Sequence, residues 1–186
     1  EAAWVECLLR VGGGFEVRSG AACEASEEQE EPTVHCSGQE ASGAAAAGVW
    51  RREEACATWQ RCTAMADVGA FYSAFVAMGL EYGPAYRTVE AAWAGGDTEA
   101  AAALRRRAAL HGTQVHPADL DGVLQTSSLL ARGKSGGGET RLPFALDAAR
   151  LRGRAAGSLW AVVVGRGEEA ADVSLAAGKG SVAGVG

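Results

Sequence analysis

The segment that begins at Pro117 constrains the fold more than any other part of the chain. A proline suits the first turn of a helix, because the N–H that it lacks would be unpaired there. Residues at helical spacing then fall on one face of that helix: Leu120, Val123, Leu124, Ser127 and Leu130. Candidate strands follow at 142–152, 158–165, 171–176 and 180–185, after a glycine-rich loop over 133–140. A mostly buried helix followed by a run of strands predicts an α+β lobe in which an antiparallel sheet is wrapped on one central helix.

A second helix is predicted just upstream, from Asp67 to Gly79. Asp67 can cap its N-terminus, and Gly79 is suited to end it. Its apolar face consists of residues at helical spacing: Val68, Phe71, Tyr72, Phe75, Val76 and Met78. Residues 82–84 (YGP) then predict a turn and residues 86–94 a strand, whereas the Ala/Arg-rich residues 99–110 leave the type of element open.

The first part of the chain predicts a smaller, separate group of strands. Residues 3–9, 15–18 and 33–37 are rich in apolar residues and β-formers, and the glycines at 12–14 supply a turn between the first two. From 38 to 66 the composition changes to Ala, Gly, Ser and charged residues, which is typical of a linker. We therefore predict three regions: a first lobe over 1–38, an inter-lobe linker over 39–66 and a second lobe over 67–186.

Composition argues against several classes of protein. Of the 186 residues, 48% are hydrophobic, which is enough to form a core, and the net charge of -6 argues against nucleic acid binding. The five cysteines are odd in number and show no C-x-x-C spacing, which favours reduced thiols in the cytoplasm over a disulfide framework or a zinc site. No run of 18 apolar residues occurs, so no membrane span is predicted. The sequence starts without Met or a basic leader, as an excerpt from a longer polypeptide does.

Asp121 and Gln125 are the residues best suited to carry chemistry. They are four positions apart, so the Gln125 amide is expected to lie above the Asp121 carboxyl on the same helical face. The neighbouring leucines and valine make these surroundings apolar, and desolvation raises the pKa of a carboxyl group. Such a group can stay protonated near neutral pH and act as a general acid, with Gln125 orienting it. The alternative is an exposed carboxylate near the helix N-terminus, where the helix dipole favours negative charge.

The neighbours of Asp121 are assigned other roles. Asp119 is nearer the helix start, so we interpret it as the capping or surface acid. His116 precedes the helix, where a histidine more often positions a turn than acts as a base. The basic cluster at 105–107 is interpreted as a solvated surface.

Several short motifs occur here in the order in which one enzyme family has them. Residues 116–125 (HPADLDGVLQ) resemble the H-P-x-x-L-D-x-x-L-Q motif of dehydratase domains from type I polyketide synthases and animal-type fatty acid synthases. Residues 79–86 (GLEYGPAY) resemble the family's G-x-x-Y-G-P-x-F segment, with Tyr86 in place of the usual phenylalanine. Three further segments match: 33–38 (TVHCSG), 70–72 (AFY) and 142–144 (LPF). The chain thus resembles the greater part of such a dehydratase domain.

The resemblance implies a double hot-dog fold, in which two lobes each wrap an antiparallel sheet round a long helix and the active site lies between them. In this family a histidine of the first lobe, within an H-x-x-x-G-x-x-x-x-P motif, removes the α-proton of a 3-hydroxyacyl thioester. An aspartate of the second lobe, matched here by Asp121 with Gln125 beside it, protonates the departing hydroxyl. The product is an enoyl thioester on an acyl carrier protein.

None of the histidines of this chain fits the family's histidine motif. His35, His111 and His116 all lack the required glycine four positions later and the proline nine positions later. We therefore expect that the first lobe is incomplete, that the base lies upstream of Glu1 in a longer parent, and that the isolated chain is an inactive fragment.

The resemblance also implies the remaining parts of the site. The expected substrate-binding residues are Tyr82, Gly83, Pro84, His116, Pro117, Leu124 and Phe144. Val123, Leu124 and Phe144 are expected to form the apolar walls of a tunnel for a pantetheine arm. Two acid–base side chains suffice for the chemistry, so neither a metal nor a bound cofactor is expected. The implied partners are the acyl carrier protein, neighbouring synthase domains and, through the parent synthase, a second copy in a homodimer.

Two alternative functions remain open from the sequence. The first is a related double hot-dog domain with another task, either a product-template domain that guides cyclisation of a poly-β-keto chain or a non-catalytic scaffold. The second is a free-standing hot-dog protein that binds or hydrolyses acyl thioesters, which is disfavoured because such a protein would lack the Y-G-P segment.

Overall fold

The computed structural model describes residues 3–21, 31–41, 52–105, 107, 112–130, 145–149, 158–167 and 170–178. The chain divides into two compact units, Glu1–Trp50 and Arg51–Gly186. Within the described ranges, no helix is both long and apolar enough to cross a membrane.

The first unit is a three-stranded antiparallel sheet. Its strands are paired in the order β1-β2-β3: β1 (Ala3–Leu9), β2 (Gly14–Ala21) and β3 (Thr33–Gln39). Gly12 and Gly13 form the turn between β1 and β2 with positive φ angles of 102° and 86°, a conformation that other residues rarely adopt. The three strands predicted for this part of the sequence are confirmed, and β2 is longer than predicted.

The second unit contains helices on a five-stranded sheet. In chain order its elements are α1 (Arg52–Arg61), β4 (Ala64–Ala66), α2 (Val68–Ala77), β5 (Val89–Gly95), β6 (Glu99–Leu104), α3 (Pro117–Thr126), a 3₁₀ turn (Ser127–Leu129), β7 (Ser158–Arg166) and β8 (Ala170–Gly178). The strands are antiparallel throughout, in the order β4-β5-β6-β7-β8. The predicted α+β class is confirmed.

Helix α3 packs on this sheet through small and polar residues. Its buried residues are Ala118, Asp119, Gly122, Val123, Gln125 and Thr126. Ala100 and Ala102 of β6 are fully buried in the same core, beside the larger Leu104 of β6 and Val123 of α3. Gly122 is required for this approach, because a Cβ at that position would overlap with the Thr88 hydroxyl.

The apolar stripe predicted for α3 is only partly correct. Val123 and Leu130 lie in the core, whereas Leu120 is 46% exposed. The helix turns its small residues to the sheet, since only those allow the close approach at Gly122, and the face that carries Leu120 points away from the sheet.

The predicted linker over 39–66 is wrong in its second half, where α1 and β4 form. Trp59 of α1 packs edge-on against Trp93 of β5 and Trp160 of β7, with ring centroids 4.9 and 4.6 Å apart. In the strand ladders these two tryptophans lie opposite Ala101 and Ala103 of β6, whose small side chains leave room for the rings. Burial of the Trp59 ring therefore packs α1 against the sheet, so that this part of the predicted linker belongs to the second unit. Residues 42–51 of the predicted linker lie outside the described part of the chain.

Helix α2 forms as predicted. The Asp67 carboxylate accepts a hydrogen bond from the Ala70 N–H at 3.0 Å and caps the helix, and Gly79 follows its end with a φ of 83°. The strand predicted over 86–94 begins only at Val89, because the preceding residues form a turn. The undecided segment 99–110 contains β6.

The strands predicted after α3 have mixed outcomes. Those over 158–165 and 171–176 are confirmed as β7 and β8. The strand predicted over 142–152 is wrong at residues 145–149, since these pair with none of the strands that the structure describes. Other predicted features lie outside the described residues: the rest of 142–152, the loop over 133–140 and the strand over 180–185.

Candidate active site

The start of α3 is fixed by His116 and Pro117. Nδ1 of His116 accepts a hydrogen bond from the Ala118 N–H at 3.1 Å, so the histidine caps the helix, and Pro117 occupies its first turn as predicted. The interpretation of Asp119 as a capping or surface acid is wrong. Its side chain is 2% exposed and forms an ion pair with Arg107 at 2.6 Å, because it belongs to the buried face of the helix.

Asp121 and Gln125 are brought together as their spacing predicts. Nε2 of Gln125 donates a hydrogen bond to Oδ2 of Asp121 at 2.6 Å. Gln125 is 2% exposed, and Asp121 is half-buried at the flank of α3. The more exposed face of the helix, which carries Leu120 and Leu124, lies on the other side of Asp121. The carboxyl group is thus anchored from the protein interior and remains open towards solvent.

A buried chain of hydrogen bonds fixes the direction of the Gln125 amide. The backbone N–H of Val89 donates to the Tyr72 hydroxyl at 3.1 Å, and this hydroxyl donates to Oε1 of Gln125 at 3.1 Å. Besides Asp121, Nε2 of Gln125 donates to the backbone carbonyl of Tyr86 at 3.1 Å. A flipped amide would set its oxygen against the Tyr86 carbonyl, which cannot donate. The network therefore commits the amide hydrogens of Gln125 to Asp121 and Tyr86.

The surroundings raise the pKa of the Asp121 carboxyl. Burial raises its pKa above the ordinary range for an aspartate, and the hydrogen bond from Gln125 offsets part of this rise by stabilising the charged form. Burial also raises the pKa of Tyr82, with a smaller contribution from the nearby Asp121 charge. The alternative of an exposed helix-terminal carboxylate does not fit, because Asp121 is partly desolvated and bonded to Gln125.

The expected substrate-binding residues occupy different environments. Tyr82 is half-buried, and its ring packs edge-on against Phe75 with centroids 5.1 Å apart. Gly83 and Pro84 are exposed, and Leu124 is half-buried. Phe144 lies outside the described residues, and His116 and Pro117 serve the helix start as described above.

Val123 does not form the wall of a tunnel as expected. Its side chain is 1% exposed and packs in the core between α3 and the sheet, since it lies on the buried face of the helix. A depression formed by described residues lies elsewhere, along α2. It has a volume of about 370 Å³, and its lining consists of Val68, Gly69, Tyr72, Ser73, Val76 and Arg87. It shares Tyr72 with the hydrogen-bond network, but Asp121 is not among its lining residues.

Three members of the site were not singled out from the sequence. Tyr72 was assigned to the apolar face of α2 and to the matching segment 70–72, without a role in the site. A tyrosine on such a face needs a partner for its hydroxyl, which is the signal that could have found it. Tyr86 contributes a backbone carbonyl, for which a sequence carries no signal. Arg107 pairs with Asp119, 12 positions further along the chain, a contact that the sequence does not reveal.

Together, these features place a partly desolvated carboxyl, bonded to a buried glutamine, on a helix that lies on an antiparallel sheet. The family model described as polyketide synthase dehydratase N-terminal domain matches residues 53–183. The chain therefore belongs to the polyketide synthase dehydratase family. The description of this family model names an N-terminal domain. The order of the sequence motifs instead predicts that residues 67–186 are the C-terminal lobe. The position of these residues in a complete dehydratase therefore stays a prediction.

Relatives and solved structures agree with this family. Polyketide synthase ThaG of Burkholderia thailandensis is 32% identical over 146 residues, which are 78% of this chain and 3% of the relative. Erythronolide synthase EryA2 of Saccharopolyspora erythraea is 37% identical over 99 residues, which are 53% of this chain and 3% of the relative. Both relatives are synthases far longer than this chain.

The crystal structure of the erythromycin dehydratase matches with a TM-score of 0.63 at 26% identity, covering 94% of this chain and 60% of that one. The dehydratase domain from the CurJ module of curacin polyketide synthase matches with a TM-score of 0.68 at 22% identity, covering 92% and 60%. This second likeness concerns the fold alone. The chain thus spans about three fifths of the length of these solved dehydratases, and the predicted hot-dog architecture is confirmed at the level of the fold.

Proposed function

We propose that this chain is the aspartate-bearing part of a dehydratase that removes water from a 3-hydroxyacyl thioester. The observation that carries the proposal is the Gln125 amide, which is locked by Tyr72 and Tyr86 so that it donates to Asp121. A surface carboxylate needs no such support, whereas a proton donor has to be held in one orientation.

The contacts of Asp121 suggest how the proton is delivered. Gln125 occupies Oδ2 as a hydrogen-bond donor, which leaves Oδ1 as the oxygen that can carry the proton. As a base removes the α-proton of the substrate, the C3–O bond breaks and the Oδ1 proton passes to the departing hydroxyl, which leaves as water. The electron pair of the broken C–H bond forms the C2–C3 double bond of the enoyl thioester. Asp121 is left as a carboxylate that Gln125 stabilises until it is protonated again.

The base in this proposal is a histidine that the chain does not contain in the family's motif. His35 and His116 are engaged elsewhere: His35 Nε2 is bonded to the Ser19 hydroxyl at 2.7 Å, and His116 caps α3. His111 lies outside the described residues. We therefore infer that the complete dehydratase draws its base from another part of the parent synthase, and that the substrate arrives on the phosphopantetheine arm of an acyl carrier protein.

The test compares the complete parent dehydratase with its Asp121→Asn variant on a 3-hydroxyacyl pantetheine thioester. Loss of a general acid should lower kcat by roughly 10²–10⁴-fold, with an unchanged circular dichroism spectrum. Asp172→Asn is the matched control, because Asp172 is an exposed aspartate of β8 whose ion pair with Arg166 lies on the surface. If Asp121→Asn turned over as fast as this control, Asp121 would have no role in the reaction.

A second assay addresses the missing base. The 186-residue chain alone should produce no enoyl thioester above the uncatalysed background, because it carries the acid without its partner. Turnover by this chain would show that it contains a complete catalytic pair.

A further inference from the structure

The segment that supplies the Tyr86 carbonyl is itself held by arginine side chains. Residues 82–87 form neither a helix nor a strand, so their carbonyl oxygens need other partners. Four of these oxygens accept hydrogen bonds from guanidinium groups: Tyr82 from Arg87 at 2.8 Å, Pro84 from Arg105 at 3.5 Å, Ala85 from Arg107 at 2.6 Å and Arg87 from Arg105 at 2.7 Å. We call residues 82–87 the site loop.

Arg107 is the arginine that connects the site loop to α3. Its Nε donates to Oδ1 of Asp119 at 2.6 Å, while its Nη2 donates to the Ala85 carbonyl. The exposed fractions of the Arg107 and Asp119 side chains are 19% and 2%. The interpretation of the basic cluster as a solvated surface is therefore wrong for Arg107, because its charge is used in a partly buried pair. Arg106 lies outside the described residues.

The position of this pair relates it to the proposed acid. Asp119 precedes Asp121 by two residues on α3, and Ala85 directly precedes Tyr86 in the site loop. A buried ion pair stabilises a fold only weakly, but it can specify one arrangement of the elements that it joins. Here the joined elements are the helix that carries the acid and the loop whose carbonyl directs the Gln125 amide.

We propose that Asp119 and Arg107 are positioning residues that hold the site loop on α3, so that the Tyr86 carbonyl keeps the Gln125 amide directed at Asp121. This inference rests on the proposed function of Asp121. Without the pair, the Tyr86 carbonyl is no longer fixed, the Gln125 amide can turn, and the proton on Asp121 loses its defined direction.

The first test measures the Gln125 amide directly and needs no catalysis. The double variant Asp119→Leu/Arg107→Met replaces the pair with apolar side chains and leaves no unpaired buried charge. In the 186-residue chain, side-chain amide exchange of Gln125, followed by NMR, should become about tenfold faster or more. The matched control is Arg61→Met/Glu99→Leu, which removes the ion pair between α1 and β6 at 2.8 Å. The Arg61/Glu99 control should exchange the Gln125 amide at the wild-type rate. If the Asp119/Arg107 variant also exchanged it at the wild-type rate, the proposal would be overturned.

The second test measures the reaction in the complete parent dehydratase. The Asp119/Arg107 variant should lower kcat on the order of ten- to a hundredfold. KM should change little, because the side chains of Arg107 and Asp119 are only 19% and 2% exposed and offer little surface for substrate contact. If the double variant does not fold, Arg107→Lys takes its place in both tests. Lysine keeps the charge beside Asp119 without the planar fork, so faster exchange of the Gln125 amide and a lower kcat are expected again. Unchanged kcat beside an inactive Asp121→Asn variant would overturn the positioning role alone. Full activity of Asp121→Asn would instead overturn the proposed function.

Discussion

Removing one oxygen atom, in Tyr72→Phe, tests the network that holds the site. The Tyr72 hydroxyl accepts from the Val89 N–H and donates to Oε1 of Gln125, and both partners are buried, with exposed fractions of 4% and 2%. Phenylalanine keeps the ring and its edge-on contacts with Phe71 and Tyr82. The substitution therefore removes hydrogen bonds without creating a cavity.

The cost follows from the groups that are left behind. Each buried polar group that loses its partner costs about 1–3 kcal/mol, and here there are two, so the free energy of unfolding should fall by at least about 2 kcal/mol. For a chain of this size that is a drop of at least roughly 4 °C in Tm. Urea unfolding followed by tryptophan fluorescence measures it.

Tyr86→Phe is the matched control for this experiment. Tyr86 is 42% exposed and contributes its backbone carbonyl to the network, so its hydroxyl should be dispensable for stability. If Tyr72→Phe were no more destabilising than Tyr86→Phe, the hydrogen bonds through Tyr72 would not support the site.

Three further predictions concern the same unit. Between the ordinary aspartate pKa and the raised pKa of Asp121, the folded state binds more protons than the unfolded state, so the free energy of unfolding should fall as pH rises through that window. Asp121→Asn should lose this part of the pH dependence. If denaturant titrations gave the variant the same pH profile as the wild type, this prediction would be contradicted. Gly122→Ala should destabilise the unit by about 1–3 kcal/mol, because its Cβ overlaps with Thr88, and a neutral effect on Tm would argue against the close approach of α3. Trp59→Ala should cost about 2 kcal/mol, below the value for a fully buried tryptophan, and a stability equal to wild type would mean that α1 does not hold the sheet.

The sequence predicts elements well where local signals decide the structure. Asp67 and Pro117 mark helix starts through their own backbone chemistry, and the spacing of Asp121 and Gln125 sets their contact within one helical turn. These effects depend on residues close in the chain, which is why the two helix starts and the contact between Asp121 and Gln125 could be predicted.

The parts that the sequence mispredicts or leaves undecided depend on contacts between distant residues. Strand β6 is nearly all alanine, which has little preference for strands, and it forms because β5 and β7 pair with it on both sides. Helix α1 is stabilised by Trp59, whose partners lie far along the chain. Leu120 is exposed because α3 approaches the sheet at Gly122, and no helical periodicity reveals which face a neighbouring sheet will accept.

The direct test of the account is the titration of the Asp121 carboxyl carbon by NMR in the 186-residue chain. We expect a pKa above the ordinary aspartate value of about 4, because burial outweighs the hydrogen bond from Gln125. In Gln125→Leu the pKa should rise further, since the charged form loses its donor. A pKa at or below the ordinary value, unchanged in Gln125→Leu, would contradict the assignment of Asp121 as a proton donor.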